Sequence, residues 1–326
     1  MLIRRLRSFI QHISFAVLIY GGRIGINLGP AVPCFACPYV AGCGGQCYLM
    51  GLQGYIGFGM GFAALGGPLL LRAFLWLGVF ILLVAFLGKL WCGWICPMGL
   101  LQDWISFFRR KLGVRERFIT LETRNTLGSV KYILLVLMCL IPPLVSAGFL
   151  RDDFYAPFCN ICPGKALLPL FTGNTRYIAL NVGNSTTMVF SVVLLIGTGI
   201  SLTGMFFKER FFCFFCPMLA LINILKPITM LRLGKTPNLC TGCANCRRAC
   251  PMDIEAVYRE KEKSCVQTAN CIDCFRCAEA CPSAGALSVR FLGKPLFTSS
   301  KTYGIRRGNT AKLRQCKSGG ADGDKP

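Results

Sequence analysis

Residues 240–251 read CTGCANCRRACP and residues 271–282 read CIDCFRCAEACP, two copies of one pattern. The copies place cysteines at Cys240, Cys243, Cys246 and Cys250, and at Cys271, Cys274, Cys277 and Cys281, each run closed by a proline. Three thiolates at this spacing wrap three corners of a cubic iron–sulfur core, and the fourth, set by the proline turn, reaches across to the neighbouring core. The expected ligation is therefore crossed: Cys240, Cys243, Cys246 and Cys281 for one [4Fe–4S] cluster, and Cys271, Cys274, Cys277 and Cys250 for the other. Zinc also accepts four thiolates, but the doubled pattern favours clusters. Residues 236–295 read as an α+β domain of the bacterial 2[4Fe–4S] ferredoxin type.

Upstream the composition changes. The chain of 326 residues is 54% hydrophobic and only 15% charged, where a soluble protein carries about a quarter; its mean hydropathy is +0.54. Four apolar stretches approach the 20 or so residues that cross a bilayer: 9–28, 69–90, 130–150 and 187–207. Arg4, Arg5 and Arg7 precede the first, and Arg109, Arg110, Lys111, Arg115, Arg117, Arg124 and Lys131 follow the second against only Glu116 and Glu122. The next connection balances Arg151, Lys165 and Arg176 against Asp152 and Asp153. These biases predict a multi-pass protein of the bacterial cytoplasmic (inner) membrane with both termini cytoplasmic. The first stretch reads as an uncleaved anchor. The net charge of +22 then reflects topology and contact with membrane lipid, not nucleic acid.

Residues 24–71 carry no charge, and Gly51, Gly54 and Gly57 recur every three residues, a small face for close helix packing. Residues 48–65 are expected to dip into the outer leaflet, with a fifth full span as the alternative. The tail 296–326, with Lys301, Arg306, Arg307, Lys312 and Arg314, is predicted to be disordered.

Cysteine usage continues into the membrane part. Cys34/Cys37, Cys92/Cys96, Cys159/Cys162 and Cys213/Cys216 each lie beyond an apolar stretch and each end in proline. The order of stretch and cysteine pair occurs twice, over 1–125 and 126–235, an internal repeat of two helix pairs. The fold expected is a membrane all-α bundle of four helices in two pseudo-repeated pairs, followed by the ferredoxin domain. Pseudo-twofold packing would unite Cys92, Cys96, Cys213 and Cys216 at the inner face. It would unite Cys34, Cys37, Cys159 and Cys162 at the outer face, with Cys43 and Cys47 as alternative ligands. Each set suits one [4Fe–4S] cluster, making two clusters in the ferredoxin domain and up to four or five in all. Disulfides are the competing reading of the outer cysteines. Cys139, Cys265 and Cys316 read as ordinary thiols. His12 is the single histidine, which excludes paired-histidine haem within the chain, and it reads as an interfacial residue.

Residues 91–100 (WCGWICPMGL), with Gln102, Asp103, Trp104 and the basic Arg109, Arg110 and Lys111, are followed by 212–217 (FCFFCP) and the two ferredoxin motifs. Together they resemble the NapH/MauN/NosR group, membrane polyferredoxins of quinol dehydrogenase systems, over residues from about 70 to 290. The resemblance implies four helices, cytoplasmic clusters, and electron transfer between the quinone pool and redox partner subunits. Two features depart from it: the second membrane motif is CxxC instead of CxxxC, and the outer cysteines have no counterpart. The expected function is a membrane-bound electron-transfer subunit linking quinone or an outer-face partner to cytoplasmic-side clusters, as a transmembrane conduit. The alternative is an electron-donating maturation factor for a metal-containing oxidase or reductase. No nucleophile–base set and no nucleotide loop stand out. Asp103, Asp152 and Asp153 are the sparse acids available to accept a proton from quinol, so the catalytic residues are unassigned.

Overall fold

Helix α1 (Leu2–Tyr20) starts in the basic leader and stops at Tyr20, well short of the apolar stretch predicted to end at 28. Glycines end it, because another part of the chain crosses here. A Cβ on Gly22 would lie 2.6 Å from the Cys43 carbonyl oxygen, and one on Gly44 would lie 2.1 Å from that of Val17. The amide of Gly44 donates to the Leu18 oxygen at 3.1 Å, stitching this crossing together.

The computed structural model describes residues 2–28, 36–60, 67–117, 121–261 and 264–300. It divides into two units, Ser8–Thr229, and Met230–Pro326 with Met1–Arg7. In the first unit α1 is followed by α2 (Tyr48–Met60), α3 (Gly67–Leu87), α4 (Pro97–Lys111) and α5 (Leu121–Ser146). Two short helices come next, α6 (Pro157–Ile161) and α7 (Pro163–Leu167), then α8 (Ser185–Phe207) and α9 (Pro217–Ile224).

Among the described residues, two helices are long and apolar enough to cross a membrane, Thr126–Ser146 and Ser185–Phe207; Ala73–Leu87 is a shorter apolar helix. The segment expected to dip begins as a helix at Tyr48, and its residues 61–65 lie outside the described residues. The described part of α2, 13 residues, spans about 20 Å. It packs against α5. At its start the Tyr48 ring stacks on Trp76 and Phe80 of α3, with centroids 4.1 and 3.6 Å apart. Around α8 pack α4, α6 and α7, while α9 lies on α5.

The second unit holds an antiparallel sheet in the order β1 (Leu231–Lys235), β2 (Leu287–Phe291) and β3 (Lys294–Thr298). Leu233 pairs with Val289, and Val289 with Phe297. Short helices α10 (Asn245–Ala249), α11 (Ala256–Arg259) and α12 (Arg276–Ala280) sit between β1 and β2 in the chain. Leu231, Leu233, Met252, Val257, Val266, Ile272, Ala278, Leu287 and Val289 are buried. Because β1 belongs to this sheet, the unit starts at Met230, earlier than the expected 236. Likewise β3 runs through 296, where the tail was expected to begin; residues 301–326, with the five basic residues and Cys316, lie outside the described residues.

The crossing at the end of α1 is testable. Gly44→Ala should destabilise the protein by about 1–3 kcal/mol, the usual cost of overpacking. Gly78→Ala in α3, where a Cβ meets nothing within 4 Å, should be neutral or stabilising by up to about 1 kcal/mol. Thermal unfolding of both variants in detergent checks the contrast.

Candidate metal centres

Cysteine followed by proline has a local structural meaning in this chain. Cys96, Cys162 and Cys216 are the residues immediately before α4, α7 and α9, with Pro97, Pro163 and Pro217 opening each helix. Proline suits that first position because its missing N–H is one the helix cannot use and its φ is already helical. The backbone N–H groups of Met98 and Gly99 face the Cys96 sulfur, and those of Met218 and Leu219 face Cys216. Helix N-termini favour negative charge, so the amides there offset part of the cost of a buried thiolate. Cys47 precedes α2 in the same way, faced by Leu49 and Met50, although Tyr48 replaces the proline.

The structure brings Cys92, Cys96, Cys213 and Cys216 into one group. Cys92 lies within electrostatic range of the other three, and Cys96 and Cys216 each within range of Cys213. Gln102, fully buried, donates from Nε2 to the Cys213 sulfur at 3.7 Å and to the Met98 oxygen at 3.1 Å. Its Oε1 accepts the Phe212 amide at 3.0 Å, which fixes the orientation.

A buried ion pair frames this group. Arg210, in the left-handed region with φ 58°, donates to Asp103 from Nη2 at 2.6 Å and from Nε at 3.2 Å, and to the Cys92 oxygen at 3.4 Å. Gln11 also donates to Asp103, at 3.1 Å. A Cβ on Gly99 would lie 2.2 Å from Nη1 of Arg210, so glycine is what leaves room for the guanidinium. Both oxygens of Asp103 accept from Arg210, which gives this carboxylate a structural role. Nearby, Lys208 bonds Glu116 at 2.7 Å, and Arg109 and Arg110 both reach Glu209. His12 accepts the Trp104 indole N–H at 3.2 Å and contacts the Ser8 oxygen at 2.6 Å, a structural role.

Of the predicted outer set, Cys37, Cys159 and Cys162 and the alternatives Cys43 and Cys47 are among the described residues. Cys34 lies outside the described residues. Cys37 lies within electrostatic range of Cys159, Cys162 and Cys43, and Cys47 within range of Cys159 and Cys162. The described cysteines are all free thiols. Cys47, an alternative ligand by spacing, stands immediately before α2. Cys139 and Cys265 stand apart from these groups.

In the second unit the two cysteine loops share one backbone. Gly242 and Ala244 are left-handed at φ 65° and 55°, and Asp273 and Phe275 match them at 49° and 54°. Such alternating backbone turns successive N–H groups inward, a concavity that receives anions and iron–sulfur groups. Cys240, Cys243, Cys246 and Cys281 line one internal space. Cys271 lies within range of Cys274 and Cys277, and Cys277 within range of Cys250. Burial pushes the Cys246 thiol up to about 11 and the Cys250 thiol up to about 12, with Cys281 adding to the first and Cys274 to the second.

These donor sets fit iron–sulfur groups: the Cys92 group and the two sets in the second unit offer four thiols each, with N–H donors at hand. Among the described residues, no three His, Cys, Asp or Glu side chains gather tightly enough to grip a single ion. Thiolates on one zinc stand about 3.8 Å apart, and a cube of four irons spreads them wider.

Comparison with known proteins agrees. A 4Fe-4S binding domain model matches residues 69–115 and 190–232, and a 4Fe-4S dicluster domain model matches 232–282. An uncharacterized protein of Methanocaldococcus jannaschii, MJ0750, is 30% identical over 208 residues, 62% of this chain and 73% of its own. The putative electron transport protein YccM of Escherichia coli is 26% identical, covering 66% of this chain and 55% of its own. The ferredoxin-type protein NapH of Haemophilus influenzae is 27% identical, over 62% and 63% respectively. The chain belongs to the NapH/MauN-type 4Fe–4S polyferredoxins. Its role is iron–sulfur electron transfer. The chain spans just over half of YccM and under two thirds of NapH. No solved structure matches it.

Two tests follow from the polyferredoxin geometry. Asp103→Asn removes the carboxylate charge paired with the buried Arg210 and should cost on the order of 3 kcal/mol; adding Arg210→Met should recover part of the loss, read as unfolding midpoints. The second concerns pH. Folded thiols raised to about 11 and 12 hold protons that unfolded thiols release near 8.5. The metal-free protein should therefore be unaffected below about pH 8.5 and lose stability as pH climbs towards 11, measured by denaturant titration at stepped pH.

Proposed function

We propose that this polyferredoxin is a membrane-bound electron-transfer subunit that relays electrons between the quinone pool, or a redox partner subunit, and cytoplasmic-side centres. The observation that carries the reading is the meeting of two distant cysteine pairs, Cys92/Cys96 and Cys213/Cys216, in one group within electrostatic range. Those four residues would hold one [4Fe–4S] group. In the second unit Cys240, Cys243, Cys246 and Cys281 would hold another, and Cys250, Cys271, Cys274 and Cys277 a third. When bound, such groups accept and release one electron at a time.

The chain's own residues set the conditions for that chemistry. Gln102 and the amides at the starts of α4 and α9 offset the charge of buried thiolates. Arg210 brings a positive charge beside Cys92, and its pairing with Asp103 keeps it there. Hydrogen bonds to sulfur and burial together tune reduction potential. The basic run Arg109, Arg110 and Lys111 at the end of α4 supports a cytoplasmic location for this end of the unit. Four crossings with cytoplasmic termini complete the topology.

Anaerobically purified protein should contain about four irons for each of these centres, with acid-labile sulfide to match. Cys96→Ala should lose about four irons and one electron paramagnetic resonance signal while the ferredoxin-type signals persist. Iron that is unchanged in this variant would remove Cys92, Cys96, Cys213 and Cys216 as a ligand set.

A further inference from the structure

Two short segments that the family models leave unmatched, 36–60 and 157–167, carry cysteines into the interior of the helical unit. Cys37, Cys47, Cys159 and Cys162 are exposed by only 6%, 5%, 7% and 6%. Cys37 and Cys47 both lie within electrostatic range of Cys159 and Cys162.

Their depth can be read from neighbouring helices. Tyr48, adjoining Cys47, stacks on Trp76 and Phe80, roughly 14–20 Å along α3 from Gly67 at the helical rise. Ile161, adjoining Cys162, has its carbonyl oxygen 4.0 Å from where a Cβ on Gly197 would stand, roughly 18 Å along α8 from Ser185. The second marker falls near the middle of α8. Cys162 therefore adjoins the middle of α8 and not its end.

The surroundings repeat the plan of the group at Cys92. Residues 43–53 read CGGQCYLMGLQ beside CGWICPMGLLQ at 92–102, and 158–163 read FCNICP beside FCFFCP at 212–217. Gln53 and Gln102 occupy the same place in the two runs. Gln53 Nε2 donates to the Cys159 sulfur at 3.7 Å and to the Leu49 oxygen at 3.1 Å, as Gln102 does to Cys213 and Met98. Gln53 is 1% exposed and its Oε1 has no hydrogen-bond partner. Lys165 brings a positive charge near Cys159 and Cys37, and its ammonium lies 4.7 Å from the Tyr39 ring centre.

We infer that Cys37, Cys47, Cys159 and Cys162 form a further iron–sulfur ligand set at mid-depth, with Gln53 as its positioning residue. It adjoins the Cys92 group: Cys162 lies within electrostatic range of Cys216, and Ile95, beside Cys96, packs on Leu18 and Ala36, beside Cys37. This inference rests on the electron-transfer reading above and extends it. A hydrocarbon core of about 30 Å is too wide for one electron step, and a set at mid-depth divides it.

Iron and sulfide counting with Mössbauer spectroscopy on the anaerobically purified full chain tests it. The expected result is about sixteen irons per chain, in cubes of four. Cys47→Ser and Cys37→Ser should each lose about four while the three other centres keep theirs, and Cys43→Ser should lose none. Gln53→Leu should retain the iron and lower the midpoint potential of one centre alone, since a hydrogen bond to sulfur favours the reduced state. The wild-type count needs no variant to fold. About twelve irons, zinc in place of iron at these cysteines, or a disulfide among them would overturn the inference and leave the electron-transfer reading standing. Iron lost in Cys43→Ser but kept in Cys37→Ser would overturn the ligand assignment. Fewer than about eight irons with no cubane spectrum would overturn the electron-transfer reading as well.

Discussion

A thiolate buried away from water is a charge without a solvation shell, and that cost must be met by the protein around it. The structure answers with the same device at Cys96, Cys216 and Cys47. Each cysteine stands just before a helix, so amides with no partner inside the helix face the sulfur. Proline after cysteine is the simplest way to start a helix there, and tyrosine does so at Cys47. The ferredoxin-type unit solves the same problem without long helices, by alternating left- and right-handed backbone at 242–244 and 273–275. Ala244, Asp273 and Phe275 accept a left-handed conformation, which costs about 1–2 kcal/mol for a residue with a Cβ.

Charge compensation extends outward from the Cys92 group. Arg210 has no access to solvent and is held by Asp103, with space left by Gly99. Asp103, Gly99 and Gln102 belong to one helix, whereas Arg210 and Cys213 come from the loop after α8. The ion pair therefore locks the two halves of the cysteine group to each other. This explains why so polar an arrangement persists in so apolar a unit. Around it, Glu116 and Glu209 tie the basic end of α4 to the end of α8.

Much of this was legible from spacing. The eight cysteines of the second unit, the pairing of Cys92/Cys96 with Cys213/Cys216, and the helix starting at Tyr48 all follow from local signals: cysteine intervals, proline after cysteine, and a charge-free run. The end of α1 was not legible, because Gly21 and Gly22 within an apolar run look like ordinary membrane residues. Only the passage of 42–45 across them shows why the helix stops. Asp103 looked like a spare acid for the same reason. Its partner is Arg210, far along the chain, and no local pattern announces that pairing.

Sequence alone determined which cysteines are grouped at cluster-type spacing and how each pair is shaped, since both depend on neighbours within a few positions. Tertiary structure decided which pairs meet and how deep they lie. The start of α2 meets α3 and the end of α6 meets the middle of α8 because Tyr48 finds Trp76 and Phe80, and Ile161 finds Gly197. Those contacts join residues distant in the chain, and they hold Cys47 and Cys162 in the interior of the helical unit.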